Sequence, residues 1–232
     1  MYPFARIGTT RYKFPAPPTV GAHGYFSGGS TSHGGSISGL SIENGSAVLV
    51  CVQINLSSYP GTISVTDNAS PSSNTYTLIS GPNSTAAGNY NLYLCDNISG
   101  SPTSVTVTLS SPQFVMVEVV EIRGVNNSSP YDKLLFTNAG TTSPFSTGNI
   151  TTTKVNELLV ALGGTPTNKY AVSSPTGTPS TGWMTIDVDE DAVNLQTIFS
   201  YYNTVLSVGT YSFEITADHN YSTGIYLISF VG

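Results

Sequence analysis

Asp187, Asp189 and Asp191 alternate in the stretch IDVDEDAVN, the one acidic cluster of the chain. On a strand, the two-residue period turns Asp187 and Asp189 to the same side, with Asp191 just beyond. Hard cations such as calcium take several carboxylate and carbonyl oxygens from a loop, so these three residues are a weak candidate for a metal. The glycine-spaced twelve-residue calcium loop is missing, and a solvated, self-repelling strand end is the leading reading. The three histidines, His23, His33 and His219, have no metal-ligand companion at i+2 or i+4. No G-x-S-x-G elbow, P-loop or H-E-x-x-H motif is present. Asp218 beside His219 reads as part of a turn. Glu118 and Glu121 interrupt FVMVEVVEIRG and fall on opposite faces of a regular strand. They do not form the facing pair that a glycosidase places across a cleft. Glu121 and Arg123 share a face and can pair, which is worth little if exposed. The expectation is no enzyme, no catalytic residue and no cofactor.

Tyrosine is the other chemically useful type, with fourteen copies. An apolar ring with a hydroxyl suits sugar stacking or protein contact. Tyr201 and Tyr202, in FSYYNT, are the candidate glycan contacts, with Tyr90 and Tyr93 in the matching part of the first half. The leading structural reading is rings flanking a sandwich core, with Trp183 as a core plug near a strand start.

These residues sit in a chain of 232 that is 39% hydrophobic but only 9% charged. Serine, threonine, asparagine and glycine take the place of charge. Disorder needs low hydrophobicity with high net charge, and this chain has neither. Thirteen acids and seven bases leave a net charge of -6. Arg6, Arg11 and Lys13 all fall in the first thirteen residues, which hold no acid, so the body is more acidic still. An acidic body opposes nucleic-acid binding, which needs a basic surface. No window reaches the ~18 apolar residues of a membrane helix, and MYPFARIGTTRYKF has no signal-peptide core. Folding in a cytoplasm is expected, and the sequons at Asn68, Asn83, Asn97, Asn149 and Asn220 read as composition. For the same reason Cys51 and Cys95, each inside a strand-like run, are expected as buried thiols rather than a disulfide.

Runs rich in Val, Ile, Thr and Tyr, bounded by Gly, Pro, Asn and Ser, predict strands at 36–42, 46–54, 62–67, 75–80, 91–96, 103–110 and 114–123. Helix is expected to be scarce. The second half repeats the first. SISGLSIENGSAVLVCV corresponds to STGNITTTKVNELLVAL, YLCDNISGSPTSVTVTL to FSYYNTVLSVGTYSFEI, and FVMVEVVEIRG to STGIYLISFVG. The quasi-repeats, 34–125 and 144–232, are about 90 residues and about seven strands each. This alignment matches Cys51 with Ala161 and Cys95 with Tyr201. Val48, Val50, Val52 and Ile54 share one face of their strand and belong in a core between two sheets. Ala47, Leu49 and Cys51 then need a second cover, from a loop, the N-terminal segment or a partner chain. The fold class is all-β, a jelly-roll-like antiparallel β-sandwich built from both halves over residues 23–232. Two tandem immunoglobulin-like sandwiches are the alternative. YDKLLF in the connection reads as a further strand and favours one continuous domain.

Residues 1–22 form an extended arm in which four prolines accompany the aromatics. Tyr2, Phe4, Arg6, Arg11, Tyr12, Lys13 and Phe14 are its docking residues, and GYFSGGSTSHGG is read as a flexible joint. The stretches SVTDNAS, NTYTLIS, YLCDNISG, TSVTVTLS and VEVVEIRGVNNSSPYD, followed by TTTKVNELLVAL, resemble β-sandwich proteins of tailed-bacteriophage virions, of the minor tail or head-decoration type. The resemblance spans about residues 34–232 and rests on strand and turn pattern. It implies structural or adhesive work: a virion protein assembled in the host cytoplasm and attached through its arm to other virion proteins and to copies of itself. It implies no nucleic acid and no membrane insertion. The second reading is a carbohydrate-binding or adhesin module that contacts host-surface glycans.

Overall fold

The computed structural model describes residues 15–56, 58–59, 61–166, 169–191, 196–218 and 220–232. Among them are seventeen strands and no helix. The first repeat holds β1 (Thr19–Gly28), β2 (Gly34–Ser38), β3 (Ala47–Ile54), β4 (Ile63–Asp67), β5 (Thr77–Ser84), β6 (Asn89–Cys95), β7 (Ser104–Leu109) and β8 (Val115–Arg123). The second holds β9 (Tyr131–Asn138), β10 (Phe145–Ser146), β11 (Ile150–Thr151), β12 (Glu157–Thr165), β13 (Val172–Thr178), β14 (Met184–Asp191), β15 (Gln196–Val205), β16 (Thr210–Ala217) and β17 (Gly224–Phe230).

Strand order repeats with the sequence. The first repeat forms a five-stranded sheet, β1-β8-β3-β6-β5, and a three-stranded sheet, β2-β7-β4. The second forms β9-β17-β12-β15-β14, with β16 pairing β10, β11 and β13 in the other sheet. Every pairing is antiparallel, and each ladder joins strands of one repeat. Each repeat therefore closes a sandwich of its own, and the two five-stranded sheets then lie face to face. The chain is four sheets deep with three cores, where a single sandwich made from both halves would have two sheets and one core. YDKLLF opens β9, as its pattern predicts.

The layering explains why β3 is buried at all eight positions. Val48, Val50, Val52 and Ile54 face the core of the first sandwich, with Val105, Val107 and Leu109 opposite. Ala47, Leu49 and Cys51 face the middle core, where Leu158, Val160 and Leu162 of β12 meet them. Their second cover is the other repeat, not a loop, the arm or a partner chain. Burial of each large apolar side chain stabilises by about 1.5–3 kcal/mol.

The structure corrects the alignment of the repeats, by one residue at β3 and by two at β6. Cys51 faces the middle core, whereas Ala161 faces the core of the second sandwich with Leu159 and Phe199. The two are not equivalent, because a shift of one residue exchanges the faces of a strand. Gly45 (φ 80°) turns the chain into β3 as Asn156 (φ 58°) turns it into β12. Counting from these left-handed positions, Val50 corresponds to Ala161 and Cys51 to Leu162. Tyr93 opposes Val50 as Tyr201 opposes Ala161, so Tyr201 corresponds to Tyr93 rather than Cys95.

Two further expectations change. The span 34–125 holds seven strands, as expected, but Thr19–Gly28 ahead of it forms an added edge strand along β8. The boundary set at residue 22 falls inside β1, and GYFSGGSTSHGG supplies parts of β1 and β2 rather than a loose joint. Cys51 and Cys95 are both buried free thiols.

Candidate functional site

Stacking the five-stranded sheets brings their edge strands β1 and β14 together. His23 Nδ1 lies 2.8 Å from Asp187 Oδ2, and Ser27 Oγ donates to Asp191 Oδ2. Tyr25 meets Asp189. Partial burial and then the Asp189 carboxylate hold its hydroxyl above the ordinary pKa. Alternate residues of β1 thus meet alternate residues of β14, as the two-residue period dictates. The acid row is a polar stitch between the repeats rather than a free, repelling strand end. Among the described residues no group of three His, Cys, Asp or Glu side chains is disposed to hold a metal.

Behind the stitch, Glu118 is completely buried in the middle layer. Neither carboxyl oxygen makes a hydrogen bond of good geometry. Burial raises its pKa well above the usual carboxylate range, the neighbouring Ser200 hydroxyl pulls the other way, and the Asp187 charge raises it further. Glu118 lies opposite Cys51 on β3, and burial in turn raises the Cys51 thiol far above its ordinary range.

Glu121 points to the other side and has the opposite fate. Its carboxylate accepts from Ala22 N (2.6 Å), Glu43 N (2.6 Å) and Arg123 Nε (3.0 Å). Burial opposes ionisation, but these donors outweigh it and the pKa falls. The pairing with Arg123 expected from sequence is present, and its acid partner, Glu121, is fully buried. It fixes β1 and the 39–46 turn onto β8, which is how a glycine-rich stretch is held as a strand.

The tyrosines divide. Tyr201 is only 3% exposed in the core of the second sandwich, with its ring centroid 5.6 Å from that of Phe213. It offers no face to a sugar. Tyr202 turns the other way and packs, half-buried, on the middle core. Trp183 is a core residue, edge-on to Phe213 at 4.9 Å, as expected.

The matching place in the first sandwich is open. The three-stranded sheet is too narrow to cover the inner face of β6 and β5, and a recess of about 180 Å³ remains. It is lined by Asn89, Asn91 and Tyr93 of β6, by Leu78 and Pro82 of β5, and by Tyr59, Gly61 and Ile63. Sequence pattern singled out the tyrosines of the second repeat, whereas this recess lies in the first. The usable signal was the asparagine pair two and four residues before Tyr93. The arm residues Tyr2, Phe4, Arg6, Arg11, Tyr12, Lys13 and Phe14 lie outside the described residues, as does His219. No family model matches this chain, and no curated protein or solved structure matches it.

Proposed function

We propose that this chain is a virion structural protein of the tailed-bacteriophage kind, a head-decoration or minor tail component, which docks through its N-terminal arm and holds the double sandwich outward. The reading rests on the pattern resemblance and on how the arm is rooted. Pro15 accepts a hydrogen bond from Asn156 Nδ2 at 3.0 Å, and a hollow of about 200 Å³ beside it is bounded by Lys154, Val155 and Val231. β1 begins four residues later. The segment before Pro15 therefore starts from a fixed point on the second repeat, next to a strand of the first. Its three bases and four aromatics suit an acidic, grooved neighbour in an assembly.

The test is removal of residues 1–14, which leaves β1 whole. The truncated protein is expected to keep its thermal midpoint and to be missing from purified particles, while the full chain is present at a fixed copy number by quantitative mass spectrometry. Absence of the full chain from particles refutes the virion role. Incorporation of the truncated chain at full occupancy refutes the role of the arm.

A further inference from the structure

The recess in the first sandwich has an internal control, because the second repeat builds the same position and fills it. Asn91 opposes Val52 where Phe199 opposes Gly163, and Asn89 opposes Ile54 where Thr197 opposes Thr165. In the second repeat Phe199 stacks with Phe213 at 6.2 Å and closes the core. In the first repeat the same scaffold carries two amides, only 3% and 4% exposed, on a face that is otherwise apolar. Asn91 Nδ2 donates to Asn89 Oδ1 at 2.6 Å. Among the described residues this leaves Asn89 Nδ2 as a free donor and Asn91 Oδ1 as a free acceptor, with the Tyr93 hydroxyl free two residues on. Buried amides normally find partners. Here their free atoms face a recess.

The walls are held in place. The Tyr59 hydroxyl donates to Ser111 O (3.1 Å) and accepts from Ser111 N (2.9 Å), which fixes its ring. Gly61 permits this, since a Cβ there would stand 2.6 Å from Tyr59 Cζ. None of the lining residues carries a formal charge, so the site has nothing to neutralise a phosphate or a carboxylate. A donor and an acceptor side by side match the adjacent hydroxyls of a sugar, and the tyrosine rings and Leu78 match its C–H faces. The volume is below the ~300 Å³ at which pockets for larger ligands begin, which limits the occupant to about one ring.

We propose that this recess binds one neutral sugar unit of a glycan, with the Asn89–Asn91 pair reading adjacent hydroxyls and Tyr59 and Tyr93 enclosing the ring. This goes beyond the virion role and does not depend on it. The test is an NMR titration of the full chain with glucose, galactose, mannose and N-acetylglucosamine, following the side-chain amide signals of Asn89 and Asn91. The expected result is saturable shifts at these amides for at least one sugar, with Kd on the order of 1 mM, and none with glucose 6-phosphate. Asn91→Leu should weaken binding at least tenfold. Leu78→Arg, at a 41% exposed rim position and so without risk to the core, should do the same. Absence of saturable shifts with all four sugars would overturn the proposal, as would unchanged binding by Leu78→Arg or equal binding of glucose 6-phosphate.

Discussion

Replacing Glu118 with glutamine keeps the shape of a fully buried side chain and removes its ionisation. An unfolded glutamate titrates near 4.3, while in the folded chain burial, assisted by the Asp187 charge, holds the Glu118 pKa well above that. Between these two values the folded state binds more protons than the unfolded state. Stability therefore falls as pH rises, by about 1.4 kcal/mol for each pH unit crossed, and levels off above the folded pKa. Below about pH 4 both states are protonated and the group contributes nothing to the slope. Wild type and Glu118→Gln should have similar stabilities at pH 4 and diverge above it, with the variant the more stable at pH 8. Urea unfolding of both proteins from pH 4 to 8 measures this. The difference between the curves is the quantity to read, because Glu157 is raised as well and Glu121 and Asp132 are lowered. Parallel curves would mean that the Glu118 pKa is the same folded and unfolded, and a variant less stable at pH 8 that its carboxylate is favourably held; either would refute the reasoning.

Glu121 has the opposite sign. Its lowered pKa gives stability that is present at neutral pH and lost as pH falls through the folded value, and Glu121→Ala, which takes the acceptor from the Ala22 and Glu43 amides while Arg123 keeps Glu43 and Ser41 as partners, should cost about 1–3 kcal/mol in urea unfolding. Val50→Asp places a charge in the core of the first sandwich, where Val50 is wholly buried. It should cost several kcal/mol, and a soluble variant with an unchanged thermal midpoint would contradict the assignment. Neither Cys51 nor Cys95 should react with a thiol reagent in native buffer, because burial raises both thiols, and both should react in denaturant.

Much of the scaffold could be read from local pattern. The β3 segment shows its double burial in AVLVCVQI, and the duplication and the strand runs follow from alternation and turn residues. The identity of the second cover could not be read, because Ala47 and Leu49 meet Leu158 and Val160 only through the stacking of whole sheets. β1 was missed because its glycines and His23 lack strand propensity. It is held by pairing with β8 and by the hydrogen bond from Ala22 to Glu121. A two-residue slip between β6 and β15 hid the recess. Once Tyr93 is matched with Tyr201, Asn91 stands where the second repeat has Phe199, and the contrast is plain in the sequence. The meeting of β1 with the acids of β14 spans 164 residues and has no local signature.

Differential scanning calorimetry of the intact chain asks most directly whether the two sandwiches are fused through their middle core. At about 0.7 kcal/mol per residue, 232 residues absorb about 160 kcal/mol on unfolding. A middle core shared by both repeats predicts one transition whose van't Hoff enthalpy equals that calorimetric value. Two transitions, or a van't Hoff enthalpy near 80 kcal/mol, half the total, would show that the repeats unfold separately and contradict the account.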